Sequence, residues 1–144
     1  MNSDLATYAE TMNEAWNSHD IEKVVRFCST DCVGEDVGQA SPVRGHEAIR
    51  TMLENYWRAF PDLKFSVIST LVDGNRIAIL WIGEGTHQGR IMNIPPTGHK
   101  VQVRGVSIIE VVTGLVVRGQ YVWDMAGMLR NMGLLPELQA MENI

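Results

Sequence analysis

Cysteine is scarce in this chain: Cys28 and Cys32 are the only two among 144 residues. They lie four apart with Asp31 between them, which is not the spacing of a redox pair, and no second ligand pair accompanies them to hold zinc. Both are expected to pack as small buried hydrophobes. Positive charge is also in short supply. The formal net charge of -5 argues against a nucleic-acid partner or an anionic membrane surface. No apolar run approaches the ~20 residues that span a bilayer. The opening Met-Asn-Ser-Asp-Leu lacks the pattern of a signal peptide, so a cytoplasmic location is expected. The histidines, His19, His46, His87 and His99, show no spacing of the His-Glu-x-x-His kind, and no metal or other cofactor is expected. Repeats, low-complexity tracts and linkers are absent as well. One domain is therefore expected, and at this length roughly 70% of the unfolded surface can be buried without a covalent staple.

Present instead is an ordered change of hydrophobic period. Leu5, Tyr8, Met12, Ala15 and Trp16 fall on one helical stripe, with Asn2 or Ser3 as a cap. Asn17-Ser18-His19-Asp20 interrupts it, and Asp20 can cap a short helix over Ile21–Phe27. A short strand is predicted over Asp31–Val37, then a loop over Gly38–Gly45. Ile49, Met52, Leu53, Tyr56 and Phe60 make the apolar face of a helix running from about His46 to Phe60, and Pro61 ends it.

Beyond Pro61 the pattern alternates. Leu63, Phe65, Val67 and Leu71 are predicted on one strand face, and Asp73-Gly74 makes a turn. Ile77, Ile79 and Trp81 share one face of the next strand. Ala78, Leu80 and Ile82 share the other, which predicts a central strand covered on both sides. Gly83 and Gly85 suggest a bend or bulge. A loop from His87 to His99 holds Pro95-Pro96-Thr97-Gly98. A hairpin then pairs Val101–Val112 with Leu115–Trp123 about Thr113-Gly114, and Met125–Met132 has helical spacing. Helices first, then antiparallel strands, then a short helix is an α+β order. A strongly curved, mostly antiparallel sheet wrapped around the N-terminal helices satisfies it, a cone-shaped barrel with one open end for a small hydrophobic molecule.

Two stretches carry a family resemblance. His87-Gln88-Gly89 followed by Asn93-Ile94-Pro95-Pro96-Thr97-Gly98 resembles the mouth loop of the SnoaL-like polyketide cyclases. Gly114 onward, through Trp123-Asp124 to Met132-Gly133-Leu134-Leu135-Pro136, resembles their closing strand and terminal helix. The resemblance implies the cone-shaped α+β barrel shared with ketosteroid isomerases and nuclear transport factor two, an apolar pocket, and a homodimer or homotetramer. It also implies ring closure by an intramolecular aldol reaction without metal or cofactor, driven by an aspartate and a histidine. Here the aspartate's place holds Tyr121 and the histidine's place holds Ser107. A glutamine two residues before that histidine is Gly105.

Tyr121 can donate a hydrogen bond to a developing oxyanion, but a phenol of ordinary pKa ~10 is no base at neutral pH. Ser107 can hydrogen-bond a ligand. His87, at the mouth loop, titrates in the range useful for acid–base work. Glu110 interrupts the run Ile108–Val112. It either pairs with Arg118 or Arg104 on an exposed face or points inward as a proton carrier. Asp124 ends the last strand, but its parity opposes that of Tyr121 and its place before a helix suits a cap. Trp16, Trp57, Tyr56, Trp123 and Met12 are the candidate substrate-binding residues. Two functions compete: proton-transfer chemistry such as cyclisation, isomerisation or dehydration, and non-catalytic binding of a small molecule by a pocket that has lost the Asp/His pair.

Overall fold

The computed structural model describes residues 2–141, with side chains from Asp4 onward. The cap expected from Asn2 or Ser3 lies outside the described side chains. The elements in chain order are α1 (Asn2–Asn17), α2 (Ile21–Val25), β1 (Cys28–Asp36), β2 (Val43–Arg44), α3 (Gly45–Ala59), β3 (Lys64–Asp73), β4 (Arg76–Thr86), β5 (Lys100–Val112), β6 (Leu115–Trp123) and α4 (Met125–Asn131). Asp20 caps α2 by accepting from the Glu22 N–H at 3.1 Å, as its side chain predicts. That helix stops two residues earlier than its apolar spacing suggested, because Phe27 turns to pack edge-on against Tyr8 of α1. β1 correspondingly starts at Cys28 rather than Asp31, and β2 occupies the end of the predicted loop.

The strands form one curved sheet in the order β2-β1-β6-β5-β4-β3. Every neighbouring pair is antiparallel except β1 and β6, which run parallel. The chain's first long strand therefore lies beside its last. Helix α1 packs on β3 and β4, and α3 packs on β1. The α1–β3 junction is fixed by Asn17. Its Oδ1 accepts from the Phe65 N–H at 2.8 Å and its Nδ2 donates to the Phe65 carbonyl at 2.9 Å. Leu53, Ile77 and Ile109 are fully buried between these layers. Each contributes about 1.5–3 kcal/mol relative to an exposed side chain.

Two departures from simple alternation set which residues face inward. In β3, Val67 pairs with Trp81 and Ser69 pairs with Leu80, so Ile68 is an extra residue in a bulge. The bulge reverses parity. Leu71, predicted on the face of Phe65 and Val67, points outward and is 72% exposed. A second irregularity in β6 separates Val116 from Arg118, after which Gly119, Tyr121 and Trp123 face inward opposite the odd residues of β5. The prediction that β4 is covered on both sides is also corrected. Leu80, with its cross-strand neighbours Val106 and Val122, remains exposed on the outer face. An apolar outer face reads the same in sequence whether or not the chain itself covers it.

Candidate functional site

A cavity of about 130 Å³ lies between the inner sheet face, α1 and α3. That is close to an apolar cavity of about 150 Å³ known to admit a benzene molecule. Trp16 and Met12 come to it from α1, Tyr56 from α3, Phe65 from β3, Trp81 from β4, and Tyr121 and Trp123 from β6.

The polar groups stand in register. Asp36 is the direct partner of Tyr121 across β1 and β6, and Tyr121 is the direct partner of Ser107 across β6 and β5. Strand spacing of about 4.8 Å thus places the backbones of Asp36, Tyr121 and Ser107 in one row, with the Tyr121 hydroxyl displaced along β6 over Gly119. All three line the cavity. The next row along the same strands is Trp123, Gly105 and Trp81.

Asp36 is held by neutral donors. Its Oδ1 accepts from the Trp123 indole at 2.9 Å and from the Gly38 N–H at 2.7 Å. Its Oδ2 accepts from the Tyr56 hydroxyl at 3.1 Å, and that hydroxyl accepts from Gln39 at 3.2 Å. The convergence depends on Gly38, where a Cβ would come within 2.6 Å of both the Trp123 ring and the Tyr56 hydroxyl. Burial pushes the Tyr56 phenol well above its usual value, and the Asp36 charge pushes it further. Tyr121 is raised by burial first, then by Cys28, Asp36, Cys32 and Tyr8. Both phenols are therefore donors, not bases, at neutral pH. The Tyr121 ring leans back over Gly119, so that a Cβ there would overlap its hydroxyl. That hydroxyl has no hydrogen-bond partner among the described residues, and its proton is free for a ligand oxygen. Ser107 is buried and accepts from the Trp81 indole at 2.9 Å, leaving its own proton free.

Of the catalytic candidates read from sequence, Tyr121 and Ser107 are therefore brought together, and three others are not. His87 is fully buried behind the mouth loop and does not line the cavity. Its Nδ1 accepts from the Thr97 N–H at 3.1 Å and lies 2.9 Å from the Thr97 hydroxyl. Its Nε2 has no partner in hydrogen-bonding geometry, although the Gly89 backbone is near enough to favour the charged form slightly. Burial is the larger effect and lowers its pKa. The loop resemblance put His87 at the mouth, but its ring turns into the packing under Phe60, 5.5 Å away. Glu110 points to the outer face, where Asn75 approaches it at 3.5 Å. It faces Arg118 in register, but that guanidinium donates to Glu35 at 2.6 Å. Asp124 caps α4 by accepting from the Gly127 N–H at 2.8 Å. Helix geometry claims it before any pocket can.

Among the binding candidates, Trp16, Tyr56, Trp123 and Met12 line the cavity and Trp57 does not. Trp57 is buried between the His19 ring, stacked at 5.0 Å, and the Trp16 ring at 6.3 Å. Adjacent helical positions cannot share a face, and α3 turns Tyr56 to the cavity. Cys28 and Cys32 are free thiols, and burial raises both, Cys28 to about 12. Among the described residues no three His, Cys, Asp or Glu side chains cluster as metal ligands would, and no helix is long and apolar enough to cross a membrane.

Asp36 was missed by sequence reasoning. One signal was available: Cys32, Gly34 and Asp36 share strand parity, so a buried Cys32 turns Asp36 inward too. Its partners on α3 and β6 left no local trace.

A family model described as SnoaL-like polyketide cyclase matches residues 6–132. No curated protein matches. Among solved structures, AclR, a candidate hydroxylase from Streptomyces galilaeus, is 28% identical, with 96% of this chain and 91% of that one covered at a TM-score of 0.84. TsrD from Streptomyces laurentii is 20% identical over 94% of this chain and 98% of its own, with a TM-score of 0.82. A SnoaL-like polyketide cyclase from Agrobacterium tumefaciens is 20% identical over 90% and 98%, with a TM-score of 0.76.

Proposed function

Because this chain belongs to the SnoaL-like polyketide cyclase family, we propose that it catalyses proton transfer without a cofactor on a small hydrophobic, polyketide-like substrate, by cyclisation, isomerisation or dehydration. The observation that carries this reading is the row Asp36–Tyr121–Ser107 across three adjacent strands. Asp36 supplies the base, taking a proton from the carbon next to a ligand carbonyl. The electron pair moves onto the carbonyl oxygen, and the Tyr121 hydroxyl donates to that oxygen as its negative charge grows, with the Ser107 hydroxyl available to a second ligand oxygen. Apolar walls strengthen these interactions by excluding water. Asp36 then returns the proton to the new position, or to the alkoxide formed when the ring closes. The donors on Asp36 fix its direction, as a positioned base requires.

Deuterium exchange and product formation with cyclic enones and β-keto esters test this. Asp36→Asn should lower the rate at least 100-fold, and Tyr121→Phe at least tenfold, consistent with the usual contributions of a general base and an oxyanion donor. Unchanged exchange in Asp36→Asn would sink the reading, as would an oxygenated product. The replacement of the resemblance's Asp/His pair by Tyr121 and Ser107 favours a second reading, non-catalytic ligand binding. Saturable binding of these ketones with no exchange would establish it.

A further inference from the structure

Among the described residues Asp36 is the one charged side chain lining the cavity, and no Lys, Arg or His lines it to balance that charge. Among the described residues Asp36 makes no ion pair, since Arg118 on the adjacent strand is taken by Glu35. All three donors to Asp36 are neutral. Much of the remaining wall is aromatic. Trp16 meets Phe65 at 87° and Phe65 meets Trp81 at 87°, so successive rings stand as walls at right angles. Tyr56, Tyr121 and Trp123 surround the carboxylate itself.

We propose that this cavity binds an organic cation, a ligand carrying a quaternary ammonium group, with its charged head near Asp36 and its alkyl groups against the aromatic rings. The proposal rests on the reading of the same cavity as the substrate site and adds the charge of the ligand to it. Asp36 is half-buried. A carboxylate partly shielded from water attracts a cation, and ring faces add attraction within about 6 Å. Hydrogen-bond capacity selects the type of cation. Asp36 already accepts three hydrogen bonds, two at Oδ1 and one at Oδ2. A primary ammonium would bring three donors to a carboxylate with about one lone pair left. A quaternary head needs none and leaves the last Oδ2 lone pair free to take the substrate proton, whereas a tertiary head would occupy it. An anionic ligand meets Asp36 with no cation to offset it and is disfavoured.

The test follows the indole N–H resonances of Trp123 and Trp81 during titration of the whole chain with choline, its neutral carbon isostere 3,3-dimethyl-1-butanol, and the anion 3,3-dimethylbutanoate. Choline should bind at least about tenfold tighter than the alcohol, the range expected of a cation held by ring faces and a carboxylate. The anion should give no saturable shift. Asp36→Asn should bring choline and the alcohol to within about twofold of each other, in the same terms. Equal binding of the alcohol by the wild-type chain overturns the proposal, as does absence of saturable choline binding or a preference that survives in Asp36→Asn. The wild-type comparison decides by itself if the variant does not fold. Loss of cation preference with Asp36-dependent deuterium exchange intact defeats this inference alone. Cation preference without exchange defeats the proposed reaction alone.

Discussion

Trp81 lies flat over Gly105, its direct partner across β4 and β5, so closely that a Cβ at position 105 would overlap the indole. The ring is locked there by its hydrogen bond to Ser107 and by edge contact with Phe65 at 5.2 Å. Gly105 thereby sets the depth of the cavity floor. Gly105→Ala must lift the indole, stretch that bond and crowd the cavity. A loss of about 1–3 kcal/mol in urea denaturation is expected, the usual cost of overpacking. Adding Trp81→Leu should recover part of it. A single variant within about 0.5 kcal/mol of wild type, the range of an ordinary surface substitution, would show that the contact is slack.

Stability should fall with acid in a window set by His87. An unfolded histidine titrates near 6.5, whereas burial lowers His87 in the fold. Its Nδ1 faces the Thr97 N–H, and the other titratable group acting on it is His99, which also opposes its charge. The unfolded chain therefore binds more protons as pH drops below about 6.5, and stability is lost through that range. Above it both states are neutral at this residue. His87→Asn keeps an acceptor for Thr97 and removes the titration. Its melting temperature should vary less than that of wild type between about pH 6.5 and 5. Parallel curves would assign the acid sensitivity elsewhere.

The outer sheet face should mediate self-association. Leu80, Val106 and Val122 stand in one cross-strand row there, and Ile108 beside them is 38% exposed. We propose that a second copy covers this row, since contiguous apolar surface of this kind marks interfaces. Val106→Glu should halve the mass seen by light scattering while the melting temperature of the inner core holds. A wild-type chain that is monomeric at high micromolar concentration would count against it.

Local chemistry accounts for what was legible without coordinates. Asp20 and Asp124 sit where capping needs a carboxylate, Pro61 ends α3, and Gly114 with φ of +81° takes the hairpin turn that favours glycine. Alternation along β5 placed Ser107 inward. Each of these depends on neighbours a few residues away. The predicted side of Leu71 failed because one bulge residue reverses a strand's parity, and hydrophobicity does not mark which residue bulges.

Period and turn chemistry in the chain itself determined the α+β order and the hairpin, while the irregularity in β6 set the inward phase of Tyr121. Tertiary structure alone decided the chemistry of the cavity. It brought Asp36 to Tyr56, Trp123 and Gly38, residues of three further segments, and turned His87, Glu110, Asp124 and Trp57 away. The reason is that a carboxylate's role depends on which donors and rings surround it. Those neighbours are set by the packing of helices against a curved sheet, which no short-range pattern encodes.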